Sequence, residues 1–421
     1  MSAVQLFLPC AAGVEGLLAD EVARLLPQAA TQTRRGGVEV QGGAREAMAL
    51  NLGSRLAQRV LWPLCDAPYR SEDDLYALAR TPRWDDWITP QQTLKVDVTA
   101  QRAPLKSLNF AALRIKDGVC DAMRDAHGAR PSVDTRRPDL PLLLHLAPEH
   151  ATLYADTSGE ALFKRGWRQD QGDAPLKETL AAAMLAAAGW QGREADGPLL
   201  DPVCGSGTIA IEAAQIACGI APGLQRHFAF ERLGPFRDAA GRQAWRELRD
   251  AAQAQVRQSA VPIAAGDVSF RMTDFAVRNA DRAGVRGAID FKTADALQRT
   301  PATPRGTLML NPPYGERIDP KGSRGGERND ARGATAREGF DDGASAPEFF
   351  SRLATHWKRH YGGWTAWVLS PDMKLPQAMR LKESRRVPMW NGPIECRLFR
   401  FDLVAGSMRE PAAPPAADAS E

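Results

Sequence analysis

From residue 176 onward, helical patterns alternate with apolar runs of strand length, and this alternation restricts the fold more than any other feature of the chain. Helix 176-LKETLAAAMLAAAGW-190 leads into the apolar run 198-PLLDPVCGSG-207 and helix 208-TIAIEAAQIACG-219. A long charged helical stretch near 236–258 precedes strand 261-VPIAAGD-267, helix 268-VSFRMTDFAVRNADRAG-284 and strands 289-IDFKTADAL-297 and 306-GTLML-310. Helix 348-EFFSRLATHWKRHYG-362 and strand 364-WTAWVLS-370 complete the series. Such alternation predicts a mostly parallel sheet with helices wound on both faces. The chain then runs through SRRVPMW, an Asn391-Gly392 turn and IECRLFRFDLV, a hairpin signal that would add an antiparallel edge.

At 421 residues the chain is too long for one ordinary domain. Its N-terminal third reads differently: strand VQLFLPC, helix GVEGLLADEVARLL, strand GGVEVQG and helix AREAMALNLGSRLAQRVLWPL, then LKVDVTA, NFAALRIKDGVCDAMRDA, LPLLLHLAP and HATLYADT. This is an α+β region without a glycine-rich strand-to-helix turn, and it suits binding rather than catalysis. We divide the chain into residues 1–65, 66–158, a linker at 159–175 rich in turn formers and charge, and 176–404. Two segments poor in apolar residues, an insertion at 319–346 and a tail at 405–421, read as disordered.

A formal net charge of +3 is too small to prove a polyanionic partner, but the charge is uneven: segment 101–140 holds eight Lys/Arg against five Asp. No apolar run approaches the length of a membrane span, and the opening MSAVQLFLPCAAGVEG lacks a secretory pattern, so a cytoplasmic protein without membrane contact is expected. The six cysteines form no C-x-x-C pair, which argues against a zinc knuckle or disulfide framework. His356 and His360 have the i,i+4 spacing of helical metal ligands, but no third ligand lies near them, and no metal is expected.

Chemistry concentrates at strand ends. In 201-DPVCGSGT-208 the glycines allow a tight strand-to-helix turn that brings backbone N–H groups close to a ligand. The spacing from Gly205 to Ala210 tolerates a dinucleotide, but Asp201 would face its phosphates and instead suits a ligand carrying an ammonium. There is no G-K-[ST], so a Walker loop is excluded. Cys204 reads as a small side chain packed in the turn, since no histidine or second acid accompanies it as for a nucleophile. The next strand ends at Asp267, placed to accept from ribose hydroxyls, and the third offers Asp295 to an exocyclic amine. In series these positions describe a cleft for an adenosine with a charged amino-acid tail, S-adenosyl-L-methionine.

The fourth strand ends in 310-LNPPYGE-316. In a doubly wound sheet this end lies beside the first-strand loop, at the switch point where ligands bind. An exocyclic base amine is a poor nucleophile because its lone pair is delocalised into the ring. If Asn311 Oδ1 and the Pro312 carbonyl accept its two N–H groups, the lone pair is aimed at the methyl. Pro312 and Pro313 would hold that carbonyl rigid, and Tyr314 would stack on a flipped base.

Taken together, GVEGLLADEV, SEDDLYALAR, NFAALRIKDGVCDAMR, RGWRQDQGDAPLKETLAAA, LLDPVCGSGTIAIEAA, LNPPYGERI and NGPIECRLFRF resemble the bacterial THUMP-containing class I RNA methyltransferases. The nearest likeness is to the N-terminal half of the large-subunit rRNA guanine-N2 enzymes. The resemblance implies a ferredoxin-like region (1–65) and a THUMP RNA-binding domain (66–158) before a Rossmann-like methyltransferase domain acting on N2 of a guanosine in 23S rRNA or a pre-50S particle. It places cofactor binding on Asp201, Gly205, Gly207, Asp267 and Asp295 and catalysis on Asn311, Pro312, Pro313 and Tyr314; beside these we expect Cys204, Thr208 and Ala296 at the cofactor and Lys106, Asn109, Arg114, Lys116, Arg165 and Arg168 at the RNA. Three departures stand out. Ser269 replaces a frequent second acid, the 319–346 insertion is longer than the pattern, and the second methyltransferase module of some relatives is absent, so one modification is expected.

The same NPPY motif serves adenine-N6 methylation of DNA and glutamine methylation of release factors, and the THUMP-like third argues against both. A tRNA guanine is the nearer alternative substrate. An RNA-binding ribosome assembly factor is the rival from another class.

Overall fold

A computed structural model describes residues 3–172, 175–312 and 346–404. Pro313, Tyr314, residues 319–345 of the insertion and the 405–421 tail lie outside the described residues.

The N-terminal portion forms one eight-stranded sheet. Its strands are β1 (Val4–Pro9), β2 (Thr31–Arg34), β3 (Gly37–Gly42), β4 (Leu61–Pro68), β5 (Thr93–Ala100), β6 (Ser132–Val133), β7 (Leu140–Leu146) and β8 (His150–Asp156), in spatial order β2-β3-β1-β4-β8-β7-β5-β6. Helices α1 (Glu15–Leu25), α2 (Ala44–Gly53), α3 (Glu72–Ala79) and α4 (Leu108–His127) accompany it. The start of β4 falls where the end of a helix is expected from the sequence. A helix cannot continue there, because Pro63 has no N–H to donate to a helical ladder; α2 stops at Gly53, and β4 pairs with β8 across an irregularity between Pro63 and Cys65. β4 also straddles the expected boundary at 65/66 and joins the two halves of the sheet through Phe7 opposite Leu61. β2, the polar edge strand TQTR, carries no apolar alternation to reveal it and is exposed throughout.

The second sheet contains β9 (Leu199–Asp201), β10 (Ile263–Asp267), β11 (Ile289–Thr293), β12 (Thr307–Leu310), β13 (Thr365–Ser370), β14 (Arg385–Asn391) and β15 (Ile394–Asp402). Its order is β11-β10-β9-β12-β13-β15-β14, parallel from β11 through β13. The terminal hairpin adds the antiparallel edge, with β15 inserted against β13. Asn391 pairs with Ile394, so the two loop residues are Gly392 and Pro393, one position later than the sequence suggests, and Gly392 supplies the positive φ of 62°. Helices α5 (Glu178–Ala188), α6 (Thr208–Ala217), α7 (Ala239–Ala254), α8 (Phe270–Arg282), α9 (Ala346–His360) and α10 (Leu375–Met379) flank this sheet.

One apolar core runs from Leu6, Leu8 and Val40 of the first sheet through Leu180 and Met184 of α5 to Ile209 and Ile263 of the second unit. The segment 159–175, expected as a linker, is partly interior: Leu162 and Trp167 are buried, and Arg165 is only 2% exposed. No described helix is long and apolar enough to cross a membrane.

Candidate functional site at the ends of four parallel strands

Because β11, β10, β9 and β12 are adjacent and parallel, their C-terminal ends open on one edge, and the order of the sheet reverses between β9 and β12. This is the crevice where open α/β sheets hold ligands. The edge carries Asp201 and the glycine loop after β9, Asp267 at the end of β10, Asp295 after β11 and Asn311 after β12.

The loop between β9 and α6 is held from below. Cys204 N–H donates to Gly266 O (2.7 Å), Gly207 N–H to Cys204 O (2.8 Å) and Gly205 N–H to Asp267 Oδ2 (3.0 Å). Gly207 has φ 89°, and a Cβ there would stand 2.9 Å from the Ala276 Cβ on α8, so only glycine permits this approach. Gly205 has φ 52°, and a Cβ on it would meet nothing within 4 Å, so this part of the loop faces open space.

Asp201 is 1% exposed and accepts from Val203 N–H at 3.3 Å. Burial, with Asp267 nearby, pushes its carboxyl well above the ordinary range, while Arg299 opposes the shift. Asp267 is also raised by burial, although it accepts from Ser269 N–H and Gly205 N–H. Two carboxyls at adjacent strand ends, Asp201 buried and Asp267 partly so, favour a ligand that brings positive charge or hydroxyl donors over one that brings phosphate. Asp295 accepts from Leu297 N–H at 2.8 Å, and Ala296 beside it is buried. Cys204 is buried, and desolvation pushes its thiol well above the usual value, which disfavours the thiolate that a nucleophile requires.

The decisive atom follows β12. Among the described residues, Asn311 Oδ1 is buried and has no hydrogen-bond partner. An orphaned buried acceptor costs roughly 1–3 kcal/mol; Gln215 Oε1 on α6 is another among the described residues, but Asn311 Oδ1 stands at the strand-end edge.

Asp201 yields a pH test. Its folded-state value lies above that of the unfolded chain, so the native state binds the proton more tightly. This carboxyl therefore favours folding below the ordinary carboxylate range, and the contribution is lost as pH rises through the folded-state value. Asp201→Asn is expected to flatten that decline in denaturation free energy against pH; an unchanged slope would place its source elsewhere.

Two residues assigned to RNA are largely interior, Arg165 buried and the Arg168 side chain 12% exposed. Arg165 donates to Glu212 Oε1 (3.1 Å), Leu162 O (2.8 Å) and Arg55 O (2.8 Å). Arg168 donates to Glu178 Oε1 (2.8 Å), Ser206 Oγ (3.0 Å), Leu176 O (3.0 Å) and Thr208 Oγ1 (2.8 Å). Both guanidinium groups are used inside the protein, which corrects that assignment. Thr208, expected at the cofactor, is buried and its hydroxyl accepts from Arg168. A signal for this is present in the chain: the α5 and α6 sequences each contain a single charged residue, Glu178 and Glu212, and a lone acid in an apolar helix needs a buried cation. Asn279, also unanticipated, is fully buried and donates to Ser206 O (3.1 Å) and Asp170 O (2.7 Å).

The remaining RNA candidates share the N-terminal half of α4 and the loop before it. Lys106 and Asn109 are exposed, Arg114 pairs with Asp73 at 2.7 Å over the Tyr76 ring, and Lys116 pairs with Asp117 at 2.7 Å. Leu108, Phe110 and Leu113 are exposed on the same stretch. His356, of the metal-like histidine pair, bonds to Arg299 O at 2.7 Å, and the described residues contain no cluster suited to a metal.

Three family models match in series: an RlmL ferredoxin-like domain over residues 5–61, a THUMP domain over 69–156, and an RMKL-like methyltransferase domain over 165–327. The chain belongs to the THUMP-domain class I methyltransferases. Curated relatives of this chain include the ribosomal RNA large subunit methyltransferase K/L of Pseudoalteromonas atlantica, 34% identical over 93% of this chain and 52% of the relative. The protein of the same name from Syntrophotalea carbinolica is 36% identical over 95% of this chain and 54% of the relative. The chain thus spans about half the length of the curated relatives it matches. Among solved structures, SMU.472, a methyltransferase by its description and crystallised with S-adenosylhomocysteine (SAH), superposes with a TM-score of 0.80 at 25% identity, covering 95% of this chain and 98% of that one. A Listeria monocytogenes protein described as a predicted N6-adenine-specific DNA methylase gives 0.79 at 26% identity, covering 95% and 96%. The cofactor of the family is S-adenosyl-L-methionine, and the residues at the strand ends fit it: an open glycine turn beside the buried Asp201 and the partly buried Asp267 carboxyls.

Proposed function

We propose that this methyltransferase modifies the exocyclic N2 amine of a guanosine in 23S rRNA, with the ferredoxin-like and THUMP region presenting the RNA. The observation that carries the reading is the unpartnered, buried Asn311 Oδ1 at the end of β12, the strand next to the glycine loop of β9. The ordered ferredoxin-like and THUMP matches favour RNA over DNA, and the names of the K/L relatives favour large-subunit rRNA.

Asp201 and Asp267 would hold the ammonium and ribose hydroxyls of the donor, the Gly205–Gly207 turn would follow its backbone, and Asp295 with Ala296 would meet its adenine. When bound, S-adenosyl-L-methionine supplies an electrophilic methyl on a sulfonium. Asn311 Oδ1 and the Pro312 carbonyl accept the two N–H groups of the guanine amine and turn its lone pair out of the ring; Pro313 stiffens the carbonyl and Tyr314 stacks on the base. Positioning is the main contribution, and no strong base is required at the amine.

Incubating the protein with labelled cofactor and rRNA, then digesting the RNA to nucleosides, is expected to put label in N2-methylguanosine. Label in N6-methyladenosine or N7-methylguanosine would overturn the assignment, and label accepted from tRNA but not from 23S rRNA would move the substrate. Charge reversal at Lys106, Arg114 or Lys116 is expected to weaken RNA binding and to reduce the slope of log affinity against log salt by about one for each phosphate that is no longer neutralised. An unchanged slope would make these residues an ordinary solvated face.

A further inference from the structure

The segment 165-RGWRQD-170 touches three parts of the molecule that must cooperate for the reaction proposed above. At one end Arg165 reaches the N-terminal unit through Arg55 O, and Glu212 on α6 accepts from both Arg165 and Arg55 at 3.1 Å. In the middle Arg168 bonds to the side chains of Ser206, in the glycine loop, and Thr208, the first residue of α6. At the other end Gln169 and Asp170 donate backbone N–H groups to Asn279 Oδ1 at 3.3 Å, while Asn279 Nδ2 holds the Ser206 carbonyl. Thr208 and Glu212 are four residues apart on α6 and so occupy one face, which the segment grips at both points.

We infer that Arg168 is a positioning residue for the cofactor: it sets the backbone of the glycine loop through Ser206 and Thr208 and references that loop to the docked N-terminal unit through Arg165. A guanidinium at the start of α6 opposes the helix dipole and would be unfavourable there alone. The contact is sustained by Glu178, which is 2% exposed and pairs with Arg168 at 2.8 Å. A lysine offers one compact donor group and cannot reproduce a planar fork that spans Glu178, Ser206, Thr208 and Leu176 O. The inference rests on the cofactor reading above, and its test separates the two.

The test is titration of SAH into the full-length chain by calorimetry, with thermal unfolding of each ligand-free variant recorded alongside. Arg168→Lys and Arg168→Met are expected to weaken SAH binding at least about tenfold in protein that is still folded, and Thr208→Val by a smaller factor. The double variant Arg168→Met/Thr208→Val is expected to lose no more affinity than Arg168→Met alone, because both changes sever one link. Additive losses would make Thr208 a direct cofactor contact and overturn the inference. Variants that unfold at lower temperature but bind SAH as the parent does would reduce Arg168 to a structural role and overturn it as well. Failure of the parent chain to bind SAH would instead remove the cofactor reading.

Discussion

Asn311→Ala is expected to lower turnover at least ~10²-fold while leaving SAH affinity nearly unchanged, because it removes an acceptor that acts on the base and not on the cofactor. The reason is geometric. Asn311 Oδ1 lies buried at the end of β12 with no partner among the described residues, so the wild-type fold already bears the cost of keeping it free. Asn311→Asp retains an acceptor there and is expected to lose less than the alanine variant, although it also introduces a carboxylate to a half-buried position. Single-turnover methylation with labelled cofactor, together with calorimetric SAH binding, checks both changes. A loss of SAH affinity as large as the loss of rate would show that Asn311 serves the cofactor.

Glu212→Ala is expected to cost about 3–5 kcal/mol of stability, the largest effect of any single substitution in the interior charge network. The Glu212 side chain is fully buried and accepts from Arg55 of the N-terminal unit and from Arg165. Removing it leaves two guanidinium groups at the junction without their carboxylate, one of them only 1% exposed at its side chain. Arg55 also bonds to Ile220 O, and its backbone N–H reaches Glu21 at 2.9 Å, so the damage would spread to α1. Urea denaturation of the variant should show a lower midpoint, with earlier proteolytic cleavage in the segment joining the two units. A change below about 1 kcal/mol would mean that the pair is exchanged for water at little cost.

The parallel sheet and the shared edge of its strand ends are legible in the chain because they follow from local rules. Strand ends are marked by Asp201, Asp267 and Asn311, and the glycine turn by Gly205 and Gly207. A doubly wound sheet brings successive strand ends to one edge whatever the side chains beyond them do. The β14–β15 hairpin is likewise announced by its turn residues, to within one position. The polar edge strand β2 and the proline-bearing β4 escape notice because their neighbours, and not their own pattern, hold them in the sheet.

Charge is the quantity that one-dimensional reading could not place. Arg165 and Arg168 carry the same guanidinium as Arg114, and nothing in their immediate sequence separates a cation proposed for RNA from one that meets Glu212 or Glu178; the signal lies only in the lone acids of α5 and α6. That choice is made by tertiary packing, which brings the two lone acids of α5 and α6 against the segment before them. The order of residues along the chain determined most of the strands and helices and the edge on which Asp201, Asp267 and Asn311 meet, since these depend on spacing and backbone geometry. Which cations remain free for a partner depended on the assembled protein, because a charge is buried or exposed only in relation to residues that are remote in sequence.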